Sequence, residues 1–354
     1  MTGAIEVPVI DCAGDPFTIG QQHGSRLAGR LRAFLDDGLC RLDRLLHAPV
    51  TTAGLAADIA AYRHAITAAL PELAIEVEGL AAGAGITIEH AWLLQIRREI
   101  MGYHRVPTWG DCTTYARLGS GAHPPVLAQT VDLNGNLDDQ IAVLRISRPD
   151  SPRTVLLLSF AGLLGYLGIN SDGLAIGLNL VLGGDWKPGV PPYLAIRHLL
   201  DTCATAAQAL DRLHTIPLAS SRSFTLTDPV DSYCVEAVDG AINTVAQGDS
   251  IHTNHFLHPG AAPHDELNVF ARNSSIRRHA ACATALAALP PAAEAAAHFG
   301  LLCQPPIRIP DHGDIRRERT VAAVVLLPAD RRLHLRPGDP AQTETLTFQL
   351  GVPV

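Results

Sequence analysis

Cys112 stands in the run Trp109-Gly110-Asp111-Cys112-Thr113-Thr114-Tyr115-Ala116, with a Gly-Asp pair before the thiol and two hydroxyls after it. A cysteine that only fills a core sits more naturally inside an apolar stretch. Two readings therefore stand side by side, a strand-edge cysteine and a nucleophile. A thiol near pKa 8.5 is mostly protonated at neutral pH, so nucleophilic use requires a base. Thr114 falls two residues on, on the same strand face as Cys112, and is placed to assist the thiol, although a β-branched strand residue needs no such role. A second group, His252, His255, His258 and His264 followed by Asp265 and Glu266, has metal-ligating side chains. Pro259, Gly260 and Pro263 break any helix that would gather them, and no HExxH occurs, so no metal or organic cofactor is expected. Lys187 is the only lysine, which confines amine chemistry to that residue or a chain terminus.

These residues need a scaffold, and the composition supplies one. Of 354 residues, 47% are hydrophobic and 18% charged, close to a globular average, which excludes a disordered or collagen-like chain. With 27 Lys+Arg against 35 Asp+Glu the net charge is −8, so no basic face for nucleic acid is expected. No run approaches 18 apolar residues and no signal-like start is present, so the expectation is a cytoplasmic protein without a membrane partner. Seven cysteines, odd in number and without a CxxC, argue for reduced, buried thiols rather than disulfides or a zinc site.

From Pro16 to about Ile100 the apolar spacing is helical, as in Ile19…Leu27…Leu31…Leu35 and Ile88…Trp92…Leu93…Ile96, with Pro71 and Gly85 as breaks. Met101 to Asp111 reads as an exposed loop. The period then becomes that of strands over Cys112–Leu118, Val126–Asp132, Ile141–Ile146, Thr154–Phe160 and Leu174–Leu180, with turns such as Asn134-Gly135 between them. Helix returns at about Tyr193–Leu213, followed by strands near Phe224–Leu226, Ser232–Ala237 and Ala241–Ala246. A helical block at Ser275–Phe299 precedes strands at Val321–Leu327, Arg332–Leu335 and Thr343–Leu350. Segregated helices and strands predict an α+β fold with helices packed on antiparallel sheets.

The Asp-Cys-Thr-Thr start, Leu127-Ala128-Gln129-Thr130-Val131-Asp132, the run Ala161 to Gly173 and Thr253-Asn254-His255-Phe256 follow in order. In this order and spacing the chain resembles the isopenicillin N acyltransferase-like family of N-terminal-nucleophile hydrolases. The resemblance extends from Asp15-Pro16-Phe17…Gly20…His23-Gly24 to Pro337-Gly338-Asp339-Pro340. It implies a four-layer αββα sandwich, two antiparallel sheets packed face to face between helical layers. It also implies a precursor that cuts itself between Asp111 and Cys112 into a helical chain, 1–111, and a catalytic chain, 112–354, which together form one globular domain. The freed α-amine of Cys112, with a pKa near 8, would then be the base its thiol needs.

By the same resemblance Asp132, twenty residues after Cys112, orients the nucleophile, Asn254 supplies the oxyanion hole, and Arg317, or second Arg319, is the catalytic-site arginine. Thr130 stands where the family often has Asn, and Asp111 where it more usually has Gly. Tyr115, Gly162, Leu163, Leu164 and Arg319 are the candidate substrate contacts, with Ala161–Ile169 as the wall for an acyl chain. Ser220-Ser221-Arg222 and Glu236 fall in further similar segments, with a lining or structural role. The expected activity is an autoprocessing cysteine amidohydrolase or acyltransferase acting on an N-acylated small molecule or acyl thioester. The reading set against it is an unprocessed binding or scaffold protein. A homo-oligomer is compatible with either.

Overall fold

The computed structural model describes residues 6–102, 108, 112–119 and 123–351. Most of the loop expected over 101–111, including Asp111, lies outside them. A short strand, β1 (Val9–Ala13), opens the described chain and leads into α1 (Pro16–Asp36), α2 (Gly38–Leu45), α3 (Ala56–Ala69), α4 (Pro71–Ala84) and α5 (Ile88–Met101). Local chemistry fixes their ends. Asp15 accepts the Thr18 amide at 2.9 Å with Pro16 in the first turn, and Thr87 accepts the His90 amide. Gly85 closes α4 with φ +64°. Gly20 and Gly24 of α1 press on the α4 backbone and Gly79 and Gly83 of α4 on the α1 backbone, and a Cβ on Gly20 would fall 1.9 Å from the Glu76 carbonyl oxygen.

The remaining strands are β2 (Thr114–Arg117), β3 (Val126–Leu133), β4 (Ile141–Ser147), β5 (Thr154–Phe160), β6 (Leu167–Asn170), β7 (Ala175–Leu180), β8 (Arg222–Thr227), β9 (Ser232–Val238), β10 (Ala241–Gln247), β11 (Ser250–His252), β12 (Arg319–Leu327), β13 (Arg332–Pro337) and β14 (Leu346–Gln349). The later helices are α6 (Pro192–Thr202), α7 (Ala206–Leu213), α8 (Val269–Ala288) and α9 (Ala295–Leu302). One sheet has the order β1-β4-β5-β6-β7-β8-β9-β10, the other β11-β2-β3-β12-β13-β14. The expectation of purely antiparallel sheets fails at one edge, because β1 pairs with β4 in parallel, Val9 opposite Val143. The long excursion through α1–α5 is the crossover that parallel pairing requires.

Alternation along the six-stranded sheet sorts its side chains between two cores. Leu127, Val131, Val324 and Leu326 face the eight-stranded sheet and share a buried cluster with Leu156 and Ile169. Val126, Ala128, Ala323 and Val325 face outward onto Cys282 and Leu286 of α8 and Phe299 and Leu302 of α9. Across the inter-sheet core, the Gln129 amide of β3 donates to the Leu178 carbonyl of β7 at 2.7 Å and accepts the Leu178 amide at 3.0 Å. Helices α6 and α7 cover the outer face of β5–β9. The fold is α+β, with two sheets packed between helical layers as the αββα expectation required. Among the described residues, no helix is long and apolar enough to cross a membrane.

Candidate active site

Strand pairing explains the twenty-residue spacing of Cys112 and Asp132. β2 and β3 run antiparallel with Thr114 opposite Gln129, and the ladder continues past β2, with the Thr130 amide donating to the Thr113 carbonyl at 2.9 Å. The Thr113 amide in turn donates to Thr130 Oγ1 at 3.0 Å. Continued one step, that register puts Cys112 opposite Val131 and beside Asp132, whose backbone amide donates to Sγ at 3.4 Å. Both side chains are buried. The Asp132 carboxylate accepts two hydroxyls, Thr320 at 2.6 Å on Oδ1 and Thr130 at 3.2 Å on Oδ2. Thr130, which departs from the family's usual residue, therefore serves both the backbone and the carboxylate.

The Cys112 carbonyl is gripped from the far side. Asn179 of β7 donates to it at 3.0 Å and Arg278 of α8 at 2.8 Å. Arg278, fully buried, also donates to Thr113 Oγ1 at 3.1 Å and to Asn254 Oδ1 at 2.5 Å. Asn254 donates through Nδ2 to the Leu180 carbonyl at 2.9 Å, and its backbone amide donates to Ser275 Oγ at 2.8 Å. Its loop is organised by Glu236, which accepts the amides of Leu257 and His258 and contacts His252 Nε2 at 2.8 Å. Thr114 points inward, where a Cβ on Gly177 would meet its methyl at 3.2 Å, and its buried hydroxyl has no partner among the described residues.

Tyr115 is turned by strand alternation into the outer core, where its hydroxyl meets His298 Nδ1 at 2.9 Å. Arg319 is held at the start of β12 by Asp138 at 2.5 Å and Asp311 at 2.8 Å. Arg317 lies in a turn before β12, its amide donating to the Asp314 carbonyl. The arginine that the described contacts bring to Cys112 is Arg278. Among the described residues, no three His, Cys, Asp or Glu side chains gather as metal ligands. His252 is taken up by Glu236 and His255 by Ser275.

A pocket lies at the end of β3, just beyond Asp132. Its wall includes Leu133, which follows Asp132, and Glu318, two residues before Thr320. Phe34, Leu94, Phe160, Leu163, Tyr166 and Tyr193 make it largely apolar, with Tyr166 stacked on Tyr193 at 5.2 Å. Gln95, Arg97 and Arg98 of α5 are its polar side. Leu163 lines the space; Gly162 and Leu164 sit behind it, bonded through their backbones to Gln95. Behind Tyr193, buried Arg222 donates to the Tyr193 hydroxyl at 3.3 Å and lies 3.9 Å from Glu99, whose carboxyl burial pushes up. Ser220 donates to the same carboxylate, and Ser221 accepts from Trp186 Nε1, so this segment supports the cavity from outside.

Residues 119–342 match the model of the family described as acyl-coenzyme A:6-aminopenicillanic acid acyl-transferase. The chain belongs to that family. It is 27% identical over 266 residues to the 40 kDa form of acyl-coenzyme A:6-aminopenicillanic-acid-acyltransferase from Emericella nidulans, covering 73% of this chain and 72% of that protein. Solved structures similar to it include penicillin V acylase from Agrobacterium tumefaciens (14% identity, 68% of this chain, 86% of that chain, TM-score 0.48). Others are a Caenorhabditis elegans N-acylethanolamine-hydrolyzing acid amidase ortholog (16%, 68% and 100%, TM-score 0.48) and conjugated bile acid hydrolase from Clostridium perfringens (11%, 68% and 97%, TM-score 0.49).

Three residues at the centre of this acyl-transferase family member were not singled out by the sequence reading. Asn179 interrupts an otherwise apolar strand, a signal that was available. Arg278 shares the buried stripe Ala271, Ser275, Arg278, Cys282 and Leu286 of α8, so helical periodicity alone places it inward. Thr320 offers no such signal, because a threonine in a strand is ordinary.

Proposed function

We propose that the chain is a self-processing cysteine enzyme that cleaves or transfers the acyl group of an N-acylated small molecule. In the precursor, Cys112 Sγ attacks the carbonyl carbon of residue 111. The C–N bond breaks, the Cys112 nitrogen takes up the thiol proton, and a thioester remains. Water then hydrolyses it, leaving 1–111 as one chain and a free amine on Cys112. In turnover that amine accepts the thiol proton, Sγ attacks the substrate carbonyl, and the leaving amine departs with a proton. The acyl thioester passes to water or to an amine.

The observation that carries this reading is the buried grip on one cysteine: its Sγ against the Asp132 amide at 3.4 Å and its carbonyl against Asn179 and Arg278. Asn254 is the side chain we assign to the developing oxyanion. Arg278 has donors only, so the Asn254 atom facing it is the oxygen, which fixes the orientation of the NH2 end. A donor of this kind lowers the barrier by about 3 kcal/mol. Asp132, held by Thr320 and Thr130, positions the nucleophile.

Intact mass spectrometry of the wild type beside Cys112→Ala tests the proposal. Two wild-type fragments of roughly 12 and 26 kDa, with Cys112 as the new N-terminus, and an uncut, inactive variant are expected. A single 37.6 kDa species in both would sink the autoprocessing mechanism and return the scaffold reading.

A further inference from the structure

Glu236 and His252 link the two sheets. Glu236 comes from β9 of the eight-stranded sheet and His252 from β11 of the six-stranded one, where it lies opposite Thr114 and two residues before Asn254. Neither side chain is exposed, and Glu236 Oε1 lies 2.8 Å from His252 Nε2. The other ring nitrogen, Nδ1, meets the Thr253 carbonyl oxygen at 2.9 Å; a carbonyl accepts, so Nδ1 carries a hydrogen. Glu236 also accepts the Leu257 amide at 2.6 Å on Oε1 and the His258 amide at 3.0 Å on Oε2. With Nδ1 as the donor of a neutral ring, Nε2 would turn a lone pair towards a carboxylate oxygen. The 2.8 Å contact therefore requires one further proton on the line between Nε2 and Oε1.

This pair bears on the geometry of the site. The His252 carbonyl accepts from Asn179 Nδ2 at 3.4 Å, the same group that donates to the Cys112 carbonyl at 3.0 Å. Asn254 lies between His252 and the two amides that Glu236 accepts, so the pair closes a loop around the assigned oxyanion donor. On its other side the loop is fixed by Ser275 Oγ of α8, which accepts the Asn254 and His255 amides. The surrounding groups keep one charge state through the neutral and mildly alkaline range. Burial pushes the pKa of His255 down to about 4 and that of His279 of α8 down as well, so both rings are neutral there. Burial pushes the Cys234 thiol of β9 up to about 12. Arg272 of α8 is paired with Asp265 at 3.0 Å, Arg278 is bonded to Asn254, and His258 accepts the Gly260 amide through Nδ1.

We propose that Glu236 and His252 form a proton-dependent clamp that positions Asn254. With the proton between them, the loop from His252 to His258 is closed against the nucleophile. Without it, two lone pairs face each other in a buried site, a cost that releases the loop and slows the chemistry. Glu236 and His252 are positioning residues that act through Asn254, and the proposal rests on Cys112 and Asn254 acting as assigned above.

The test follows self-cleavage of the full chain by intact mass, after a short cell-free translation pulse is diluted into buffers from about pH 6 to about pH 10. Before cleavage Cys112 has no free α-amine, so that group does not shape the profile. Wild type is expected to slow by about tenfold per pH unit on the alkaline side, the slope of one lost proton. His252→Gln offers Glu236 an amide donor that does not titrate, so its alkaline slope should vanish whatever its absolute rate. A merely structural contact would lower the variant's rate equally at every pH and leave the slope in place. Equal slopes in the two proteins, or a wild type with no alkaline fall, overturn the clamp. Nuclear magnetic resonance of nitrogen-labelled Cys112→Ala judges the clamp without the chemistry and without the His252 variant. On raising the pH, the ring nitrogens of His252 should change protonation in the same step that shifts the Asn254 side-chain amide, and an Asn254 signal indifferent to that step overturns the proposal. If the wild type is never cut while those signals move together, the Cys112 reading fails and the clamp stands.

Discussion

Arg278 donates to the carbonyl oxygen of Cys112 at 2.8 Å across 166 residues of sequence. That contact ties α8, on the outside of the six-stranded sheet, to the first residue of the proposed catalytic chain. The same guanidinium fixes Thr113 and Asn254, so one side chain sets the relative position of nucleophile and oxyanion donor. Replacing Arg278 by Ala removes a donor from three buried acceptors, of which the Cys112 carbonyl keeps Asn179. The variant should lose about 1–3 kcal/mol of stability and process at least about a hundredfold more slowly. Arg278→Lys keeps the charge but not the planar fork and should process at an intermediate rate. A time course by intact mass, with a thermal melt to separate folding from catalysis, checks both. Processing of Arg278→Ala at the wild-type rate would remove Arg278 from the site.

Thr320 is the partner that holds Asp132 from the opposite strand, and its Oγ1 also accepts the Ile309 amide at 2.9 Å. Thr320→Val keeps the shape of the side chain and removes both bonds. A loss of about 1–3 kcal/mol in stability and a drop of about tenfold in processing rate are expected, with Thr320→Ser restoring most of each. Equal rates for Val and Ser would show that the carboxylate needs no such clamp.

Much of this geometry was legible in the residues because it follows from strand period and register. The 112–132 spacing becomes a contact through one antiparallel pairing, and the expected strand at Val126–Asp132 coincides almost fully with β3. Hidden from that logic were features set by tertiary docking. The parallel strand β1 is five residues long and finds its partner only after α1–α5 have crossed over. Tyr115 sits beside the cysteine in sequence, yet strand alternation turns it to the opposite face. The arginine was sought near β12, where four charges cluster, but two of those are consumed elsewhere: Arg316 donates to the Arg44 carbonyl and Arg319 binds surface aspartates. The residue that reaches the site comes from a helix whose buried stripe is mostly small and apolar.

Helix α1 meets α4 so closely that Gly20 has no room for a methyl group: its Cβ would stand 1.9 Å from the Glu76 carbonyl oxygen and 2.8 Å from the Leu80 amide. Backbone cannot yield there without parting the helices. Gly20→Ala should therefore cost about 1–3 kcal/mol or more, lowering the melting temperature by several degrees. Gly29, exposed on the same helix with nothing within 4 Å of its would-be Cβ, is the control. Gly29→Ala should gain up to about 1 kcal/mol from helix propensity. Melts that move in the same direction for both variants would contradict the packing argument.

His23, in the same helix, is completely buried, and neither ring nitrogen has a partner among the described residues. Burial, aided by the Arg197 charge, pushes its pKa down to about 3 in the folded protein, against 6.5 when exposed. Above pH 6.5 the ring is neutral in both states and exerts no pH effect. Between pH 6.5 and about 3 only the unfolded chain binds the proton, so folding loses up to about 1.4 kcal/mol per pH unit on this account. Glu76 and Glu99, pushed up by burial, act in the opposite sense below neutrality, so the comparison that isolates His23 is between variants at each pH. His23→Leu should gain about 2 kcal/mol relative to wild type on going from pH 7 to pH 5, read from urea unfolding at both pH values. If the two proteins lose stability in parallel over that interval, His23 is protonated in the folded state and the buried, neutral assignment is wrong.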